Sequence, residues 1–316
     1  MKIRSRSFPS FLSMVCLFVG WLLIANGSVS MQSPTGGIIK LANPVVRRTQ
    51  THIPSRAATA ARNEGKIDER VEQALESGNA ARDAGDAEKA KGFYQRAASI
   101  NPKEARAYLG LGNVEMDHYT DYYPNLELEK TAIKRAEGYY QQASLLKPHE
   151  WSAYFDLGVV YDVLTAFDSA AERNLQNQEE AAFKKAIALD SGAIDAWGWL
   201  GGLYLEENRL GDAESAYRRA IALRPDLHSK DNVALANAYE GLGDLLSRQN
   251  RDAEAAKVYS DWALADPGNW IPHDYLGMTY VKLGNKKAAT EQYQFLRNVQ
   301  PERAQMLLSE INKMKD

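Results

Sequence analysis

Residues 197–204 read Trp197-Gly198-Trp199-Leu200-Gly201-Gly202-Leu203-Tyr204, and Ala213, Tyr217, Ala220 and Pro225 follow at spacings of four, three and five. The first stretch sets Trp197, Leu200, Gly201 and Tyr204 at i, i+3, i+4 and i+7, which is one face of a helix. Ala213, Tyr217 and Ala220 share a face of a second helix, which the proline then ends. Small residues at the centre of each face let the two helices approach closely, and the aromatics fill the space beside that contact. Such a hairpin cannot bury its apolar face alone, so its stability requires neighbours of the same kind.

Neighbours are present. Counting Ile194 as position 1, glycine at position 8 recurs as Gly78, Gly112, Gly158, Gly201, Gly243 and Gly277. The first-helix pattern is kept in part by Tyr108-Leu111-Gly112, Tyr154-Leu157-Gly158-Tyr161, Tyr239-Leu242-Gly243 and His273-Leu276-Gly277-Tyr280. Second helices follow the same plan in Ala90-Tyr94-Ala97-Pro102, Ala136-Tyr140-Ala143-Pro148, Ala255-Tyr259-Trp262-Pro267 and Ala289-Tyr293-Leu296-Pro301. The third departs most, with Glu179-Phe183-Ala186-Ser191.

These anchors resemble those of the tetratricopeptide repeat (TPR) family, whose helix–turn–helix period is about 34 residues. The resemblance covers Val71 to about Arg303 and implies an all-α fold, a right-handed α-solenoid of six TPR units with a C-terminal capping helix. The expected domain is 67–316, with units at 71–104, 105–150, 151–193, 194–227, 236–269 and 270–303 and a cap at 304–316. Met306, Leu307, Leu308 and Ile311 are expected to face the last hairpin. Units two and three exceed the period, their extra residues falling at Asp117–Lys130 and Thr165–Gln178 between the two helices. Both hairpins should therefore be elongated on the same edge. Residues 228–235 read as a spacer, with Asp231 placed to cap a lengthened helix.

The N-terminus has a different composition. Ten of the 38 basic residues but only three of the 41 acidic ones fall within 1–70, leaving 28 basic and 38 acidic residues from Val71 onward, a balance of −10. An acidic repeat region lacks the clustered Lys and Arg that phosphate binding needs, so no nucleic-acid partner is expected. Lys2, Arg4 and Arg6 precede an apolar run from Phe8 to Ala25. As a helix it would span about 27 Å, slightly short of a hydrocarbon core of about 30 Å. Ala25 and Gly27 place small residues before a possible cut. Residues 1–27 thus read as a secretory signal peptide or an uncleaved single-span anchor, with an organellar transit peptide as a further alternative. Either of the first two sends the repeats to the non-cytoplasmic side, and membrane contact is expected only through residues 8–25 if uncleaved. Residues 28–66 show no sustained period and read as a flexible linker.

Catalytic, cofactor and metal constellations are not expected. Cys16 is the single cysteine, and the five histidines show no ligand spacing, His273 standing at an aromatic anchor position. The resemblance instead implies protein binding, because the inner, concave wall of a TPR solenoid is lined by positions 2, 5, 9, 12 and 13 of the first helices. Here those positions include Asn79, Arg82, Asn113, Phe155, Asp162, Asp195, Glu206, Asp244, Arg248 and Asp274. Across the set, acids outnumber bases, favouring a basic or mixed-charge peptide. The carboxylate clamp of chaperone-binding members is not matched: Asn79 fits it, but Leu75, Gly110, Phe155 and Val159 do not. An edge insert adds Tyr119, Tyr122 and Tyr123, residues suited either to an interface or to packing the long hairpin. The expected function is a scaffold or adaptor docking a partner polypeptide, the alternatives being a membrane-complex assembly factor or the regulatory or recruiting subunit of a separate enzyme.

Overall fold

The computed structural model describes residues 22–25, 28–32, 38–39, 69–118, 126–168, 170–223 and 233–314. Among them, thirteen helices fall into two compact units, Met1–Ser191 and Gly192–Asp316. The first unit holds α1 (Glu69–Asp83), α2 (Ala87–Ile100), α3 (Ala105–His118), α4 (Leu126–Leu146), α5 (Trp151–Phe167) and α6 (Glu172–Leu189). They pair as three antiparallel hairpins, α1 with α2, α3 with α4 and α5 with α6, and α2 packs on α3 as α4 does on α5. The second unit holds α7 (Ile194–Glu206), α8 (Leu210–Ala222), α9 (Val233–Arg248), α10 (Asp252–Ala265), α11 (Trp270–Lys282), α12 (Lys286–Val299) and α13 (Pro301–Lys313). Three more hairpins form there, with α13 packed on both helices of the last.

One contact repeats through the hairpins. A Cβ added to Gly78 would lie 2.6 Å from the Tyr94 ring, one on Gly112 2.5 Å from Tyr140, and one on Gly201 2.7 Å from Tyr217. Gly158 with Phe183 and Gly243 with Tyr259 complete the series. The glycine of the first helix is thus the floor on which the aromatic of the second lies, and Tyr94, Tyr140, Phe183 and Tyr217 are fully buried. Each such ring contributes about 2–3 kcal/mol of transfer free energy. Tyr94 and Tyr217 are covered from the far side too, by Gly110 on α3 and Gly241 on α9. The last hairpin breaks the series: Gly277 meets Leu307 of α13 and Gln292 instead of Tyr293, which is only half-buried.

Helix junctions show a second regularity. Gly85, Asn208, Asn250 and Gly284 all stand at position 15, and all four have positive φ, between 59° and 77°. Glycine and asparagine are the residues that tolerate this left-handed geometry at a helix C-terminus. The next amide then reaches back across five residues, as from Asp86 N to Ala81 O (2.9 Å) and from Arg209 N to Tyr204 O (2.8 Å). In the first and last hairpins Asp86 and Asn285 go on to cap α2 and α12, accepting from the amides of Lys89 and Ala288.

The two long hairpins differ from expectation in how their length is used. α5 runs on to Phe167 and α6 starts at Glu172, so most of the Thr165–Gln178 addition is helix instead of connection. In the second hairpin α4 is 21 residues long and begins at Leu126. Tyr119, Tyr122 and Tyr123 lie outside the described residues, as does Asp231.

The cap begins at Pro301, not 304, since a proline at the first position of a helix forfeits no hydrogen bond. Ala304, Leu307 and Ile311 form its buried stripe, whereas Met306, expected to face the hairpin, is 45% exposed. Positions 304, 307 and 311 follow the i, i+3, i+7 spacing, which Met306 misses by a third of a turn.

Upstream are three short strands, β1 (Leu22–Ala25), β2 (Ser28–Gln32) and β3 (Ile38–Ile39), antiparallel in the order β1-β2-β3, with Leu22 opposite Met31 and Met31 opposite Ile39. The end of the apolar run, Leu22–Ala25, is therefore extended and not helical. The rest of the 8–25 segment and most of the 28–66 segment lie outside the described residues. Among the described residues no helix is long and apolar enough to cross a membrane.

Candidate functional site

The expected groove residues all come from first helices, whose apolar faces are spent on the hairpin contacts. What remains differs between the two units.

In the first unit, charges along this face pair with one another. Arg106 on α3 binds Glu72 on α1 through two contacts (Nη2–Oε1 2.5 Å, Nη1–Oε2 3.0 Å) and holds Glu104 as well (Nε–Oε1 2.8 Å). Arg82 on α1 is forked onto Asp117 of α3, at 2.5 and 3.2 Å. Burial works against the Arg82 charge, but its hydrogen bond and charge contact with Asp117 prevail and raise its pKa. Both pairs tie consecutive first helices together. Asn79 accepts the Tyr94 hydroxyl at 2.7 Å, and Asn113 accepts that of Tyr140 at 2.8 Å. Burial pushes the Tyr94 phenol up to about 12.

Three expected surface residues are core residues instead. Asn113 is 2% exposed, because the buried Tyr140 hydroxyl takes its amide oxygen. Phe155 is 0% exposed and sits between Trp151 and Phe183, at ring distances of 6.1 and 5.9 Å. Asp274 is 6% exposed and ion-paired with Arg303, which pins α11 to the cap. Burial raises the Asp274 pKa despite that partner. Asp162 stays half-buried, its main-chain oxygen accepting from the Thr165 hydroxyl at 2.6 Å.

A buried ion cluster went unread in the sequence. Glu115 occupies an aromatic anchor position, is 1% exposed, and is held by Lys91 of α2 (2.7 Å) and Arg135 of α4 (2.7 Å). Burial alone would raise its pKa, but the two basic partners hold it below the usual glutamate range. An acid in place of the expected aromatic was the available signal, since a buried carboxylate requires basic partners.

In the second unit the polar residues of α7 and α9 lie nearer the surface. Glu206 at the end of α7 and Arg248 at the end of α9 are exposed, and Asp195, Glu240 and Asp244 are half-buried. Arg248 pairs with Asp244 one turn away at 2.8 Å, and Glu240 accepts the Tyr275 hydroxyl at 2.7 Å. His273 is half-buried, bonded through Nδ1 to Gln292 (2.8 Å) and stacked on Phe295 (3.7 Å). No group of three or more His, Cys, Asp or Glu among the described residues is arranged to hold a metal ion.

Stacked hairpins with a glycine-on-aromatic contact, left-handed Gly or Asn junctions and a terminal covering helix define an α-solenoid of tetratricopeptide type. Residues 192–261, the fourth hairpin and most of the fifth, match the family model described as tetratricopeptide repeat. Among solved structures, the chain is similar to PilW, described as a widely conserved type IV pilus biogenesis factor, with a TM-score of 0.57 and 17% identity. That match covers 77% of this chain and 100% of PilW. It is likewise similar to PilF of Pseudomonas aeruginosa, at a TM-score of 0.55 and 16% identity over 77% of this chain and 98% of that one. MamA is matched at a TM-score of 0.46 and 20% identity, covering 64% of this chain and 94% of MamA. At these identities the likeness is one of fold. Comparison with curated proteins finds no match.

Proposed function

We propose that this chain is a protein-interaction scaffold or adaptor, not an enzyme, which docks a partner polypeptide on the first-helix faces of its hairpins. One observation carries this reading: in the second unit Glu206 and Arg248 are exposed, and Asp195 and Asp244 half-buried, on helices that bury Trp199, Leu200, Leu242, Leu245 and Leu246. Packing holds these helices rigid, so the polar groups are presented at little ordering cost when a peptide arrives. The acidic balance of the repeats favours a basic or mixed-charge segment. In the same reading residues 1–27 export the repeats or anchor them, leaving them on the non-cytoplasmic side. Retention of the apolar segment would favour assembly of a membrane complex as the particular task.

A photoreactive amino acid placed singly at Asp195 or Asp244, in the full chain in its native cells, tests this. Both positions should give the same adduct, and exposed Lys257 on the second helix α10 should give none. Adducts from Lys257 or Tyr122 but from neither first-helix position would overturn the reading.

A further inference from the structure

Five hairpins seat an aromatic ring on a glycine, and the sixth has both partners in register without the contact. Gly78 and Tyr94, Gly201 and Tyr217, and Gly243 and Tyr259 stand sixteen residues apart, and so do Gly277 and Tyr293. The first three rings are buried on their glycines, whereas Tyr293 is half-buried. Its seat is taken. A Cβ on Gly277 would lie 2.5 Å from Leu307 of α13, and its three nearest atoms all belong to Leu307 and Gln292.

The cause lies in the helix that follows. Tyr94 and Tyr217 are met from the next first helix by Gly110 and Gly241, which leave room for a ring, but α13 presents a leucine. One socket therefore has two side chains to fill it, Leu307 from α13 and, by register, Tyr293 from α12. Turning Tyr293 between staggered rotamers moves its ring without moving α12. Withdrawing a buried leucine ordinarily leaves a cavity, which makes lifting a packed helix costly. Here the vacated space has a second occupant at hand. Ala304, Ile311 and the Arg303–Asp274 ion pair hold α13 in place, and Gln300 alone separates it from α12.

We propose that α13 is a latch with two states, built on competition between Leu307 and Tyr293 for the Gly277 socket. In the docked state Leu307 fills the socket and Arg303 covers Asp274. In the lifted, minor state Tyr293 turns onto Gly277, and α13 leaves Asp274 and the first-helix face of α11 uncovered. The latch sets how much of that face is open and stands whatever the face binds.

Hydrogen exchange of the full chain in detergent, read by mass spectrometry on peptides from 301–313, tests this. Peptides from α8 serve as the reference for opening of the whole unit. Tyr293→Ala removes the alternative occupant, so the lifted state is left with an empty socket. Exchange in 301–313 should slow about tenfold relative to α8. Truncating a side chain that only packs on the cap would speed it. Tyr293→Gln, too polar for an apolar socket, should slow exchange likewise. Tyr293→Phe, which keeps a ring of the kind Phe183 lays on Gly158, should not slow it. Exchange unmoved or faster in either Tyr293→Ala or Tyr293→Gln overturns the latch, and so does equal slowing by Tyr293→Phe.

Discussion

At the scale of single residues, two kinds of glycine occur in the same hairpin. Gly112 lies under the Tyr140 ring with no room for a methyl group, whereas Gly138 on α4 has nothing within 4 Å of its missing Cβ. Gly112→Ala should therefore lower stability by about 1–3 kcal/mol through overpacking, less the modest gain in helix propensity. Gly138→Ala should raise it by about 0.5–1 kcal/mol, having only the propensity term. Urea unfolding of the two variants checks this, and shifts of the same sign would contradict the packing account. The Tyr140–Asn113 bond makes a companion case. Tyr140→Phe orphans a buried amide oxygen, and Asn113→Val orphans a buried hydroxyl, each at about 1–3 kcal/mol. The double variant, which reproduces the Val159 and Phe183 combination of the third hairpin, should recover most of that loss in a double-mutant cycle. Additive single losses would mean that the bond is not the coupling.

Among the elements, the helical hairpins were legible and the exceptions to them were less so. Fixed intervals of glycine, alanine and aromatic residues are legible because in five of the six hairpins they answer to one contact that recurs. Position 15 carried an unread signal of the same kind: two glycines and two asparagines at the only residues described with positive φ. The surplus in the long hairpins looked like connection because it interrupts the period. Helix α5 nonetheless continues through it, burying Val163, Leu164 and Thr165. The cap helix was placed three residues late, and its Met306 was assigned inward. Leu307, fully buried against the Gly277 site, is the residue that holds α13 down. Leu307→Ala should cost about 2–5 kcal/mol, while Met306→Ala should stay within about 0.5 kcal/mol. Thermal unfolding of the pair decides between the two assignments, and a larger loss from Met306→Ala would restore the sequence reading.

For the molecule as a whole, the binding surface was less legible than the fold, because a position number says where a side chain starts and not what it meets. Phe155 and Asn113 took groove positions in the repeat and core positions in the structure, the first by aromatic packing and the second by a buried hydroxyl. The charges of the first unit were counted as available but pair among themselves across α1 and α3. The recurring buried tyrosines have a consequence that spans both units. Burial raises the pKa of Tyr94 to about 12 and pushes those of Tyr140, Tyr217 and Tyr259 well above the ordinary value of 10. In the unfolded chain these phenols lose their protons near pH 10, whereas in the folded chain they keep them. Between about pH 10 and 12 the folded state therefore binds more protons than the unfolded one, so stability falls as pH rises, by on the order of 2–3 kcal/mol for Tyr94 alone. Below pH 10 both states are protonated at these sites and the effect is absent. Raising the pH while recording tyrosinate absorbance and helical circular dichroism checks this. The buried phenols should ionise together, above pH 10, as helix is lost. All sixteen tyrosines titrating together near pH 10 in a helical protein would show that the rings do not lie on the glycines as described.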